Sequence, residues 1–199
     1  MAKRSVLAGL LGGLAMFVWT SVAHMLLPLG EIGIREMPNE TAVLAAMHAS
    51  LGEAAGFYFF PGTGLGPDAG REQKHAAMQQ YGQKLAANPS GILIYHPPGA
   101  QPMTPGQLGI EFLTELLECL LAAALLARTQ LAGWIARAGF VTAAGVLAAL
   151  ATNVSYWNWY GFPGSYTAGY MTTQIVGFLC AGLVIGAITK GPRSGGAAA

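Results

Sequence analysis

The chain sets four long apolar runs around one extended mixed region. Crossing about 30 Å of hydrocarbon takes roughly 20 helical residues. Runs of that length cover residues 5–27, 108–127, 131–152 and 167–189. The region 28–107 changes character: turn formers break it into short pieces. Asn39 stands before a run that predicts a helix over 40–55, and Gly56-Phe57-Tyr58-Phe59-Phe60-Pro61-Gly62 predicts a short strand bounded by glycine and proline. After the turn TGLGPDAG, Asp68 is placed to cap a second helix reaching Ala87, stopped by Asn88-Pro89. Gly91 to Pro98 predicts a second strand. The order helix, strand, helix, strand predicts two paired strands with helices over one face, a thin core that needs support from the ends of the membrane helices.

Composition turns these runs into membrane spans. Only 10% of the 199 residues are charged, 53% are hydrophobic, and the mean hydropathy is +0.47. A soluble domain carries about 25% charged residues, so this chain lacks the polar surface to solvate a globule. The net charge of +1 offers no electrostatic basis for nucleic-acid binding. Cys119 and Cys180 lie in apolar runs without a CxxC, which argues against a disulfide framework, a zinc motif or thiol redox chemistry. Basic residues orient the spans: Lys3 and Arg4, Arg128 and Arg137, and Lys190 and Arg193 fall on one side when all four segments cross. That side is then cytoplasmic, with both termini on it. Residues 28–107 and an aromatic outer loop at 153–166 lie outside, and 190–199 form a disordered cytoplasmic tail. Six of the nine acidic residues fall in 28–107, as suits an aqueous surface. A signal peptide ending at Ser21-Val22-Ala23 is the competing reading of the N-terminus. The run continues through His24 to Leu27, and Gly9, Gly12 and Gly13 offer a helix-packing face, which favours a retained span. The expected fold is an all-α membrane protein: a four-transmembrane-helix bundle with a small extracytoplasmic α+β loop subdomain.

The candidate chemistry sits in the second span. Glu111, Glu115 and Glu118 fall within an arc of about 60° on a helix turning 100° per residue. A charge near mid-bilayer costs roughly 2.5–3.5 kcal/mol on insertion scales, so the stripe needs partners, protons or water. Thr114 lies close to the same face. His24 in the first span, Asn153 after the third, and Tyr170 and Gln174 in the fourth sit at similar depth, while the inner half of every span is apolar. These residues predict a polar pocket open to the outside and closed below. A partner, a lipid or a small ligand are its candidate occupants, in a non-enzymatic accessory or interaction component of the membrane. The alternative is a small ion- or proton-handling carrier using the stripe. A purely structural alternative has neutral glutamates hydrogen-bonded within the bundle. Beyond the bilayer, the partners expected are another membrane protein or a second copy of the chain.

No cofactor is expected. A metal ion is a minor reading, because the stripe lacks Glu-x-x-His spacing and His48, His75 and His96 are scattered. GxSxG, HExxH and Ser/His/Asp patterns are missing, which disfavours an enzyme, and Gly62–Gly66 lacks the follow-on of a nucleotide loop. Tyr156, Trp157, Trp159 and Tyr160 are read as headgroup-layer anchors. Gly182-x-x-x-Gly186 is read as a packing motif.

The segments WTSVAHMLLPLGE, PNETAV, FYFFPG and YWNWYGFPGSYTAGY resemble those of a group of bacterial inner-membrane proteins with four predicted helices and a long first outer loop. The resemblance implies a bacterial plasma membrane. It brings no activity, substrate or catalytic residue.

Overall fold

The computed structural model describes residues 3–66 and 68–189. The tail 190–199, with Lys190 and Arg193, lies outside the described residues. The chain is mostly helical. Its elements are α1 (Lys3–Met25), a 3-10 turn at Pro28–Gly30, α2 (Glu40–Leu51), β1 (Gly56–Phe60), α3 (Arg71–Ala87), β2 (Gly91–Tyr95), α4 (Pro105–Leu126), α5 (Trp134–Ala149), a π turn at Leu150–Val154, α6 (Ser155–Tyr160) and α7 (Gly164–Ile188). They form two units, Met1–Ile34 with Met103–Ala199, and Arg35–Pro102. The boundaries expected at 28 and 107 therefore move inward. Residues 28–34 pack on α7, where Ile32 fills the space over Gly169. Residues 105–107 are the first turn of α4, whose Thr104 hydroxyl accepts the Gln107 N–H at 3.2 Å.

In the helical unit, α1 packs between α4 and α7, and α7 between α1 and α5. Neighbours run antiparallel and meet where side chains are missing. A β-carbon on Gly9 would fall 2.9 Å from the Leu120 Cα, and one on Gly13 would fall 2.8 Å from the Leu116 Cα. On the α5 side, a β-carbon on Gly182 would sit 2.7 Å from the Ala138 carbonyl oxygen, and one on Gly186 3.0 Å from that of Trp134. Such glycine pairs four residues apart let backbones touch, which gains dispersion contact where apolar burial against lipid gains little. The core along these seams includes Ala8, Met16, Cys119, Ala123, Val141, Phe178, Ala181 and Ile185.

Polar groups close the end of this packing. Arg137 was expected as a topology marker beside a turn, yet it is buried against the last turn of α7. Its Nε and Nη2 donate to the Gly186 carbonyl at 3.1 and 2.9 Å, and its Nη1 to Ala132 at 2.6 Å. A cation on unpaired C-terminal carbonyls satisfies them and complements the helix dipole. The Trp134 indole adds a bond to the Leu183 carbonyl at 3.0 Å.

Among the described residues, three helical stretches are long and apolar enough to span a membrane: α1, Trp134–Tyr160 and α7. The second is longer than the expected 131–152. The expected outer loop 153–166 is helical through Tyr160, because Ser155–Tyr160 contains neither glycine nor proline, and the helix stops only at Gly161 (φ 70°). The non-helical corner is Gly161 to Pro163, and α7 starts at Gly164 rather than 167. The 22-residue α4 carries three glutamates and is not among these three stretches.

The second unit pairs β1 and β2 antiparallel, Gly56 opposite Tyr95 and Phe60 opposite Gly91. Tyr95 is its one buried residue among those described, and its hydroxyl donates to the Gly52 carbonyl at 2.8 Å. Neither α2 nor α3 buries a residue, so the expected helical cover over the sheet is not formed. The expected caps also differ. Asn39 precedes α2 but in the left-handed region (φ 55°), where its side chain makes no capping bond; capping needs extended backbone. Gly70, not Asp68, precedes α3, and its N–H is taken by the Gln73 side chain at 2.9 Å.

Gly13→Ile is expected to destabilise the protein by about 1–3 kcal/mol through overpacking. Gly139→Ala, on an open helix face, should be neutral or stabilising by up to about 1 kcal/mol. Thermal unfolding in detergent reads both, and equal melting temperatures would contradict the packing account.

Candidate functional site

The packing faces of α1, α4 and α7 each grade from small to large. On α1, Gly9, Gly12 and Gly13 give way to Met16, Thr20 and His24, again at helical spacing. On α7, Gly186, Gly182 and Gly177 give way, toward its N-terminus, to Gln174, Thr173 and Tyr170. On α4, Ala123, Ala122 and Cys119 give way to Glu118, Glu115 and Glu111. The small residues bring backbones together at one end, and at the other the larger side chains surround a space. The gap is a cavity of about 110 Å³ lined by those large residues and Thr114. That is room for several water-sized groups. Its floor is apolar: the Cys119 thiol rests 3.7 Å from the Met16 sulfur, with the glycine seam beyond.

Seven of the eight residues expected at a pocket line this one cavity; Asn153 does not. It stands behind Gln174, donating from Nδ2 to Gln174 Oε1 at 3.2 Å and to the Ala149 carbonyl at 3.0 Å. The π turn brings Asn153 to this buried position, and the bond fixes the Gln174 amide with its oxygen turned to Asn153. Met16, Thr20 and Thr173 line the cavity without having been assigned to it. The signal was available for two of them: residues 16, 20 and 24 share one helical stripe.

Glu115 is the centre of the site. It is 4% exposed, and its Oε2 has no hydrogen-bond partner. Thr20 lies beside the same carboxyl group. Glu118 is half-buried, and Glu111 and Thr114 are exposed at the mouth. No lysine or arginine lines the cavity. The His24 Nδ1 lies 2.9 Å from the Thr20 carbonyl; a carbonyl only accepts, so Nδ1 is the donor. Trp19 ties α1 to α7 at this level through a 2.8 Å bond to the Thr173 carbonyl. Three carboxyl groups dominate the polar wall, beside the Thr20, Thr114 and Tyr170 hydroxyls and the Gln174 amide.

The four aromatic residues expected as anchors lie on α6, all exposed. Tyr156 also starts a row of rings: Tyr156 to Phe162 (centroids 5.6 Å), Phe162 to Tyr166 (5.5 Å), Tyr166 to Tyr170 (5.4 Å), then His24 edge-on to Tyr170 (6.3 Å). The row ends at the cavity mouth. Among the described residues, no three His, Cys, Asp or Glu side chains are grouped to hold a metal ion.

The three long apolar helices define the class, a membrane protein with a small two-stranded insertion. No protein-family model, curated protein or solved structure matches the sequence, so a functional reading rests on this geometry.

With Cys180 replaced by alanine, a water-soluble maleimide is expected to label Thr114→Cys at the exposed mouth and to leave Cys119 on the closed floor unmodified until the protein unfolds. Labelling of native Cys119 as fast as the mouth position would contradict a sealed floor.

Proposed function

We propose that this is a four-span protein of the bacterial plasma membrane, a non-enzymatic accessory component that holds a small polar ligand or a lipid headgroup in the cavity between α1, α4 and α7. The observation that carries the reading is the unpartnered carboxylate oxygen of Glu115 inside that cavity. A buried polar atom without a partner costs about 1–3 kcal/mol, and a bound polar group would offset that cost. Membrane placement of α4 is supported by its opposite surface, where Ile110, Leu113, Leu117, Leu121 and Leu125 recur at helical spacing and are all more than half exposed. Those side chains suit acyl chains, while the glutamates turn toward α1 and α7. Lys3, Arg4 and Arg128 sit at the closed end of the helices, which supports a cytoplasmic closed end and an external mouth. Alkaline phosphatase fused after residue 130 should therefore be inactive and fused after residue 102 active; the reverse pattern would invert the topology, and equal activity at both points would remove α4 as a span.

Ion or proton handling is the alternative use of the glutamates. The sealed floor of Met16 and Cys119 counts against passage through the bundle. Structural and binding roles separate by stability. Glu115→Met should raise the melting temperature of ligand-free protein, because an unpaired polar group is replaced by an apolar one of similar volume. Some member of a panel of small cations, zwitterions, polyols and anions should stabilise the parent protein but not this variant. A destabilised variant, with no stabilising solute for the parent, would assign Glu115 to the framework instead.

A further inference from the structure

We infer that the ligand of this cavity presents a primary ammonium group, with Glu115 as its anchor. This rests on the cavity being a ligand site. Among the described residues, three glutamates and no lysine or arginine line it, which disfavours an anion and favours a cation. Glu115 Oε2 is a buried acceptor with no donor among the described residues. A bare metal ion needs several ligands converging on one point, and among the described residues no such group exists. An R–NH₃⁺ group instead sends three N–H donors outward to acceptors that diverge, in charge-assisted bonds of about 2.7–2.9 Å. The volume of about 110 Å³ admits an aminoethyl group; a trimethylammonium is bulkier and has no N–H to donate. The group can arrive on a free small amine or on a phosphatidylethanolamine headgroup.

The test uses the full-length protein in phosphatidylcholine nanodiscs and calorimetric titration with ethanolamine hydrochloride at neutral pH. Saturable binding is expected, at least tenfold tighter than for choline, ethylene glycol or acetate, and at least tenfold weaker in Glu115→Gln. Adding phosphatidylethanolamine to the nanodisc should weaken ethanolamine binding if the lipid is the source and leave it unchanged if a free amine is. Equal or tighter binding of ethylene glycol, choline or acetate would overturn the ammonium assignment while leaving a ligand site. Binding of none of the four overturns the assignment too, and a stabilising solute from the wider panel then shows whether the cavity binds anything at all. Selectivity of the parent protein decides the point even if the glutamine variant fails to assemble.

Discussion

Where α1 crosses α4, the two backbones meet at Gly9 and Gly13, and α7 meets α5 in the same way at Gly182 and Gly186. In lipid these contacts matter more than apolar burial does, since an exposed leucine already has apolar neighbours. Fixing the helices at one end fixes what happens at the other. Met16, Thr20 and His24 continue the glycine stripe of α1 with larger side chains, which line the cavity where the glycines would let backbones meet. The cavity follows from this gradient in residue size. Its closed floor and polar wall are two ends of one packing surface.

The gradient also explains why a carboxylate can be buried without a partner. Glu115 sits where the wedge begins to open, close enough to the seam to be 4% exposed and far enough along to face empty volume. Glu118 and Glu111 share its stripe with different exposure. Only the middle glutamate is buried by the protein with an oxygen that no protein group satisfies. The groups that surround it on α7 are spoken for: the Thr173 hydroxyl donates to the Gly169 carbonyl at 3.1 Å, and the Gln174 oxygen accepts from Asn153. These two bonds are made within the protein and leave Glu115 Oε2 without a protein partner.

Much of this was legible in the sequence because it depends on helical spacing. The stripe of glutamates, the glycines four residues apart and the polar outer halves of the spans are all periodic signals, and periodicity survives folding. What was not legible depends on contacts between distant segments. Arg137 reads as a basic residue beside a turn, and only the arrival of Gly186 makes it a helix cap. Residues 28–34 read as the start of the insertion, and only Ile32 filling the space above Gly169 assigns them to the helical unit. The aromatic run at 155–160 lacks any helix breaker, yet its density of ring side chains resembles an interface loop. Asn39 and Asp68 are good capping residue types, but capping needs a backbone geometry that composition does not encode. Thr20 was missed although its spacing from Met16 and His24 placed it on the stripe.

The central claim is that the unpartnered oxygen of Glu115 belongs to a ligand. The direct measurement is a high-resolution experimental structure of the protein extracted gently from its native membrane without delipidation. The account predicts non-protein density in the cavity, with an atom within about 3 Å of Glu115 Oε2. A cavity collapsed onto Glu115, or a carboxylate satisfied by protein groups alone, would contradict it.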